Sequence, residues 1–494
     1  MSSYKGIINI IALFVAALGI LMIFSLLWAL HYGDGDAKAL TEAIIICELV
    51  GWPLWFVTRG SYKLSLRSAF LTVTLSWLII AIFGSLPYIL SGAIPTFTDA
   101  FFESLSGFTT TGSSILGDPK IFPHLPNGIE SMPRGLLFWR SFTHWIGGLG
   151  IVVLGIAFLP MLKVGGTELY RAEVAGPLPS QLGQRVRETA KALWVVYVFL
   201  TGLLTILLLV GGMSIYDALC HSFGCVATGG FSTKNGSIGA YQSSYIEWMI
   251  ILFMILSATN FSLHFNFLRR RNPEYHKSKE FRFYLGLILI AAGVIFIDDV
   301  LHGLGFNLDT LRKSAFTTVS IVSTTGYVNT NYESWSYLAH VILFFLLFAG
   351  GCAGSTAGGL KLFRTMLLLK YLISEVRKLV HPSGVFPISI GERIIPNEVV
   401  RNVLAFYFAY LTVFVLTSVI LAATGLDMES AFSASATTLG GVGPGLHYLG
   451  PMHNFAFLDP VAKWALCGNM LLGRLEIFSV IVLFSRTYWR SLKP

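Results

Sequence analysis

Ser314-Ala315-Phe316-Thr317-Thr318-Val319-Ser320-Ile321-Val322-Ser323-Thr324-Thr325-Gly326 opens on a small polar residue, runs through an apolar stretch and ends on a threonine-glycine turn. The same frame recurs at Asp99-Ala100-Phe101 to Thr111-Gly112, Asp217-Ala218-Leu219 to Thr228-Gly229 and Ser430-Ala431-Phe432 to Val442-Gly443. Asp and Ser are favoured helix N-caps, so Asp99, Asp217, Ser314 and Ser430 are expected to start helices. The interval to each glycine is 12 or 13 residues, room for about three helical turns. Long apolar stretches flank every copy. A short helix ending in a glycine turn, held at membrane depth four times over, is the layout of a cation pore.

Composition agrees with a membrane setting. Of 494 residues, 54% are hydrophobic and 12% charged, with a mean hydropathy of +0.69. Soluble domains carry about twice that charged fraction. A bilayer leaves no water for unpaired backbone groups, so the chain is expected to be an all-α polytopic membrane protein. Spans of about 20 apolar residues are expected at 7–30, 40–58, 68–92, 136–162, 190–212, 245–268, 282–304, 335–370 (interrupted), 400–425 and 460–486. The first is longer than a signal-peptide core and has no small-residue cleavage site after it, so it is read as a retained helix. The five cysteines show no metal-ligand spacing and are read as reduced packing residues.

The division that follows is a helix pair (1–64) and four helix, pore-loop, helix repeats: 65–165, 186–270, 280–372 and 397–494. Lys and Arg gather after the second, fourth, sixth, eighth and tenth spans, for example Arg59 and Lys63, Lys163 and Arg171, Arg269 to Arg271, Arg377 and Lys378, and Arg486 and Lys493. Acids such as Asp34, Asp118, Asp217 and Asp309 fall on the other side. The positive-inside bias places both termini in the cytoplasm and opens the four turns to the outside. This bias, rather than nucleic-acid binding, accounts for the net charge of +8. All four repeats run the same way, which implies a pseudo-fourfold axis along the membrane normal and not the inverted repeats of many carriers.

Backbone carbonyls suit a dehydrated K⁺ because they replace its hydration shell and still release it. Turning successive carbonyls toward one axis calls for left-handed backbone conformations, which glycine adopts without a Cβ clash. The expected filter is therefore Thr110, Thr111 and Gly112; Ala227, Thr228 and Gly229; Thr324, Thr325 and Gly326; and Gly441, Val442 and Gly443. The C-terminal ends of the preceding short helices, aimed at the centre, favour a cation there.

Two further features lie near this filter. Gly350-Gly351-Cys352-Ala353-Gly354-Ser355-Thr356-Ala357-Gly358-Gly359 interrupts an apolar span, and five glycines in ten residues hold a regular helix poorly. Irregular backbone at membrane depth lines a cavity or is buried in protein; here the readings are a gate in the pathway or a close helix-packing surface. It is not a phosphate loop, because no Gly-Lys-Ser/Thr ending follows. Arg474, in Gly473-Arg474-Leu475-Glu476, is an intramembrane charge and hence a functional-site hypothesis. It is either an electrostatic barrier below the filter or a structural partner of Glu476 or another acid. His144, His221 and His264 are read as packing or hydrogen-bonded residues.

The turns at 109–112, 227–233, 323–327 and 441–445, the 350–359 loop, the run Leu-Tyr-Arg-Ala-Glu (169–173) and the stretch Met-Leu-Leu-Gly-Arg-Leu-Glu (470–476) resemble those of bacterial Trk-type potassium uptake proteins, close to the TrkH/TrkG subunit. The resemblance covers nearly the whole chain. It implies K⁺ as the transported ion, no bound cofactor, and Gly112, Gly229, Gly326 and Gly443 as filter glycines. It further implies an intramembrane gate at Gly350, Gly351, Gly354, Ser355, Thr356, Gly358 and Gly359, with Arg474 helping to close it. A homodimer in the inner membrane, resting on a cytosolic nucleotide-binding regulatory subunit (TrkA-like), is implied as well. Two departures stand out: the fourth turn lacks an Asn before Pro444-Gly445, and Ser113 follows the first glycine where Ala is familiar. A Na⁺-permeable relative, or a symporter moving K⁺ with Na⁺ or H⁺, is the competing reading. A membrane-embedded enzyme would need clustered acids and histidines at the interface, and the sequence shows no such constellation.

Overall fold

The computed structural model describes residues 2–60, 66–162, 179–270, 274–390 and 393–490. The 169–173 run and the basic residues Lys63, Lys163, Arg171, Arg271 and Lys493 lie outside the described residues. The fold is all-α, with one two-residue antiparallel pairing, Ser389–Ile390 against Arg393–Ile394. Among the described residues, six helices are long and apolar enough to cross a membrane, or eight if each of two sharply bent pairs counts as one span.

Helices α1 (Ser2–Tyr32) and α2 (Ala37–Thr58) form an antiparallel pair. Small residues let them approach closely: a Cβ on Gly51 would lie 2.6 Å from the Ala16 amide nitrogen. The pair is fastened to α5 (Arg134–Leu162) at its exposed N-terminus. Asp34 and Asp36, in the α1–α2 loop, accept hydrogen bonds from the Arg134 and Leu136 amides at 3.1 and 3.0 Å. Those N–H groups have no partner inside the helix, so the loop carboxylates serve as its cap.

Four short helices recur along the chain. They are α4 (Phe97–Phe108), α7 (Ile215–Val226), α11 (Leu308–Val322) and α15 (Met428–Gly440). Each packs between longer neighbours: α3 (Leu66–Leu90) and α5; α6 (Pro179–Val210) and α8 (Ser244–Ser257); α10 (Lys279–Asp299) and α12 (Tyr337–Leu346); α14 (Asn397–Ala423) and α16 (Pro460–Arg474).

The caps differ from the expectation. The N-caps are Thr96, Ser214, Asn307 and Asp427, whose side chains accept from the amides of Asp99, Asp217, Thr310 and Ser430. The anticipated caps Asp99, Asp217 and Ser430 are thus the third helical residues. A capping oxygen bonds the amide two or three residues ahead of it, and an acid on that amide's residue is itself favoured by the helix dipole. Asp99 and Asp217 also accept from the cap hydroxyls, at 2.6 and 2.9 Å. Ser314 lies within α11, donating to Asp299 and to the Thr310 carbonyl.

The interruption expected only in the 335–370 stretch is found in three places. Helix α8 breaks into α9 (Phe261–Arg270) with a bend of 98°, and α16 breaks before α17 (Ile477–Ile481) with a bend of 114°. Between α12 and α13 (Leu362–Val380) lies the glycine loop. Neither Ala258-Thr259-Asn260 nor Leu475-Glu476 carries the glycine signal; partners distant in sequence hold these breaks. The Cys352 amide donates to the Ala258 carbonyl (2.9 Å), and the Phe261 amide donates to the Gly354 carbonyl (3.1 Å). Glu476, at φ +59°, is paired with Arg364.

Candidate functional site

Each short helix runs into a turn along one backbone path. The residue after the helical cap is left-handed in three turns, Thr110, Thr228 and Thr324 at φ 52°, 55° and 56°, and in the fourth the cap itself, Gly441, is left-handed at 69°. The next amide (Thr111, Gly229, Thr325, Val442) reaches back five residues to the carbonyl of Ser106, Gly224, Ser320 or Thr437, at 2.8 to 3.0 Å. A left-handed glycine follows: Gly112, Gly230, Gly326 and Gly443. Three β-branched threonines in a region that disfavours them each store about 1–3 kcal/mol of strain, which the surroundings must hold.

This register revises one assignment. In the second turn the residue equivalent to Gly112, Gly326 and Gly443 is Gly230 (φ 80°), with Gly229 equivalent to Thr111 and Ala227 to the capping Thr109. The sequence Ala-Thr-Gly-Gly offered two glycines, and only the backbone path separates them.

The four turns close on one another. A Cβ on Gly112 would stand 2.0 Å from the Gly229 carbonyl oxygen, one on Gly230 2.0 Å from that of Thr325, and one on Gly326 2.0 Å from that of Val442. One on Gly443 would stand 3.0 Å from the oxygen of Thr111. Each glycine thus admits the carbonyl of the next turn, in the order first, second, third, fourth and back to the first.

A small cavity, of about 10 Å³, lies against this ring. Thr109, Thr111 and Gly441 border it from the turns, and Gly358, Gly473 and Arg474 from the other elements. The glycine loop is seated against the ring: the Gly358 amide donates to Thr324 Oγ1 (2.7 Å), and a Cβ on Gly358 would lie 2.3 Å from the Gly440 carbonyl oxygen. Thr356 Oγ1 is within bonding distance of the Val226 and Ser257 carbonyls, at 3.0 and 3.1 Å. Glu280 at the start of α10 accepts from the Ala353 amide at 2.7 Å. Gly350, Gly354 and Gly359 are left-handed, Gly351 accepts from Leu362, and Ser355 donates to the Cys352 carbonyl.

Arg474 is buried beside the loop. Its Nη1 donates to the Thr356 carbonyl at 2.9 Å and its Nη2 to that of Gly147 at 3.4 Å, while Nε has no partner. Glu476 pairs with Arg364 instead, and among the described residues no carboxylate forms an ion pair with Arg474. Of the two readings of this residue, the pairing with Glu476 is excluded by that geometry.

Three residues behind the turns carry more than the sequence suggested. Buried Glu103 and Arg140 form an ion pair at 2.5 Å. Glu103 also accepts from the Ile115 amide, and Arg140 donates to the Ser232 carbonyl and covers the Phe231 ring at 3.5 Å. One helical turn further along α5, His144 Nδ1 meets the Gly107 carbonyl (2.8 Å) and Nε2 accepts from the Phe231 amide (3.2 Å). That pattern requires the neutral ring with its proton on Nδ1. The available signal was the four-residue spacing of Arg140 and His144, which puts both on one helix face. His221 and His264 are likewise bonded, to Asp217 and Ser232 and to Leu256 and Tyr275. Replacing His144 by Leu orphans a buried carbonyl and a buried amide. It is expected to lower stability by about 2 kcal/mol or more, read as an earlier thermal transition of the detergent-solubilised protein.

The family model for TrkH, described as a cation transport protein, matches residues 36–296 and 308–491. The Trk system potassium uptake protein TrkH of Salmonella typhimurium is 40% identical over 496 residues, covering 99% of this chain and all of that protein. TrkG of Escherichia coli is 33% identical over 94% of each chain. The crystal structure of the potassium transporter TrkH from Vibrio parahaemolyticus superimposes with a TM-score of 0.89 at 37% identity, covering 99% of this chain and all of that one. With an aligned length that leaves almost nothing out, the chain belongs to the TrkH family of cation transport proteins.

Proposed function

We propose that this protein takes up K⁺ across the inner membrane through one channel-like pore at the centre of the four turns. The observation that carries the reading is the cyclic fit of Gly112, Gly230, Gly326 and Gly443 onto the carbonyls of Gly229, Thr325, Val442 and Thr111. Neutral carbonyl oxygens brought to one level by four chain segments suit a partly dehydrated monovalent cation. Their position at the C-terminal ends of four short helices favours positive charge. The filter is then 110–112, 228–230, 324–326 and 441–443, and the pore units are 65–165, 186–270, 280–372 and 397–494 after the helix pair 1–64.

The 350–359 loop is the gate in this reading, and Arg474 its latch and a positive barrier beneath the filter. Its bonds to the Thr324 side chain and to Arg474 support that role, because they hold it against the lining of the cavity. Both termini face the cytoplasm, where the inside-negative potential draws K⁺ inward by about 2.3 kcal/mol per charge per 100 mV. The chain works as a homodimer on a cytosolic nucleotide-binding regulatory subunit of the TrkA kind, for which the basic loops are docking surfaces.

The test is rubidium uptake into liposomes holding the purified protein, competed by K⁺ or by Na⁺. Competition by K⁺ alone is expected. Equal competition by Na⁺ with all four glycines intact would overturn the selectivity and favour the Na⁺-permeable alternative.

A further inference from the structure

The ring has a seam. At three of its junctions a Cβ added to the glycine would stand 2.0 Å from the next carbonyl oxygen, whereas at the junction of the fourth turn with the first it would stand 3.0 Å away. Ser113 spans that junction: its Oγ donates to the Gly443 carbonyl oxygen at 2.9 Å, with both residues buried. Among the described residues of the four turns, 110–113, 228–231, 324–327 and 441–444, it is the one side-chain hydrogen bond that passes directly between turns.

The first turn is also braced differently from the third and fourth, and like the second, whose equivalent residue is Gly224, it receives no hydroxyl bond from its own helix. In the third and fourth, a hydroxyl on the short helix holds the carbonyl after the glycine: Ser320 Oγ donates to Tyr327 at 2.7 Å and Thr437 Oγ1 to Pro444 at 2.9 Å. The equivalent of these hydroxyls in the first turn is Ser106, whose buried Oγ has no partner. The first turn therefore lacks the brace from its own helix and is tied to the fourth turn instead. A carbonyl oxygen has two lone pairs, so Gly443 can accept from Ser113 and still face an ion.

We propose that Ser113 is a positioning residue for selectivity, setting the width of the ring at the seam between the first and fourth turns. This rests on the reading of the turns as a K⁺ filter. The residues equivalent to Ser113 are Phe231, Tyr327 and Pro444, and the role belongs to the first turn because only there do a wider gap and a hydroxyl coincide. Losing the hydrogen bond frees the Gly443 carbonyl to move, and the ring then tolerates the smaller Na⁺ better.

The experiment measures K⁺ against Na⁺ competition for rubidium uptake by wild type, Ser113→Ala and Ser113→Thr in liposomes. Ser113→Ala is expected to reduce K⁺ preference by about fivefold, the worth of one hydrogen bond, with uptake retained; Ser113→Thr, which keeps the hydroxyl, is expected to stay within about twofold of wild type. A Ser113→Ala protein that keeps wild-type preference overturns the inference while leaving the filter intact. Wild type that does not discriminate overturns the filter reading itself. If Ser113→Ala does not fold, Ser113→Cys takes its place: a weak donor of similar shape, it is expected to lose preference too, and an unchanged preference there overturns the proposal equally.

Discussion

Gly326→Ser is expected to collapse K⁺ preference by roughly tenfold or more, since shifting the neighbouring carbonyls need change relative ion binding by only about 1.4 kcal/mol to have that effect. The new Cβ would lie 2.0 Å from the Val442 oxygen and 2.8 Å from Pro444 Cδ, at a φ of +77°. The left-handed conformation alone costs a side chain about 1–2 kcal/mol, and the contact forces the third and fourth turns apart. Nothing in the spanning helices is disturbed, so the variant is expected to insert and purify normally. The register predicts the same for Gly230→Ser, whose Cβ meets the Thr325 oxygen, and a milder loss for Gly443→Ser, where the gap is 3.0 Å. Rubidium uptake competed by K⁺ and Na⁺ reads all three. Unchanged K⁺ preference in folded Gly326→Ser would show that this turn does not line the pathway.

Releasing the glycine loop is expected to raise flux. Arg474→Ala removes a charge-assisted hydrogen bond to the Thr356 carbonyl, worth about 1.5–3 kcal/mol. Each 1.4 kcal/mol moved from the closed to the open state multiplies the open population about tenfold, so uptake by the purified protein without a regulatory partner is expected to rise by that order. Deleting Gly354-Ser355-Thr356-Ala357 removes the same anchor together with the Thr356 bonds to Val226 and Ser257 and is expected to act in the same direction. A normally folded deletion protein with reduced uptake would instead assign the loop to helix packing. Arg474→Lys separates charge from geometry: it keeps a barrier but not the planar donor fork.

Much of this site is legible residue by residue. The capped frame around Thr111-Gly112 and its copies pointed to four equivalent turns, and ten residues with five glycines pointed to a broken helix, because in both cases the signal is local. The differences have a common origin. Helix starts at Asp99, Asp217 and Ser430 are the local expectation, whereas the capping side chain precedes the amide it serves. Gly229 and Gly230 are locally equivalent as adjacent glycines, and only the backbone path distinguishes them. The breaks after Ser257 and Arg474 carry no local mark, since they are held by Gly354, Cys352 and Arg364 from elsewhere in the chain. Glu476 lies only two residues from Arg474, but the helix ends at Arg474 and the left-handed Glu476 turns away, where Arg364 reaches it across 112 residues.

The sequence by itself determined what depends on near neighbours: an all-helical chain for a membrane, four short helices ending in glycine turns, one glycine-rich interruption, and a buried arginine late in the chain. Only the tertiary structure decided which carbonyl each glycine admits, that the ring closes from the fourth turn back to the first across the Ser113 to Gly443 hydrogen bond, and that Arg474 holds the Thr356 carbonyl rather than an acid. The reason is physical. Capping, left-handed turns and hydrophobic length act within a few residues, whereas the ring of turns is made of contacts between groups as much as 330 residues apart, whose distances no local pattern encodes.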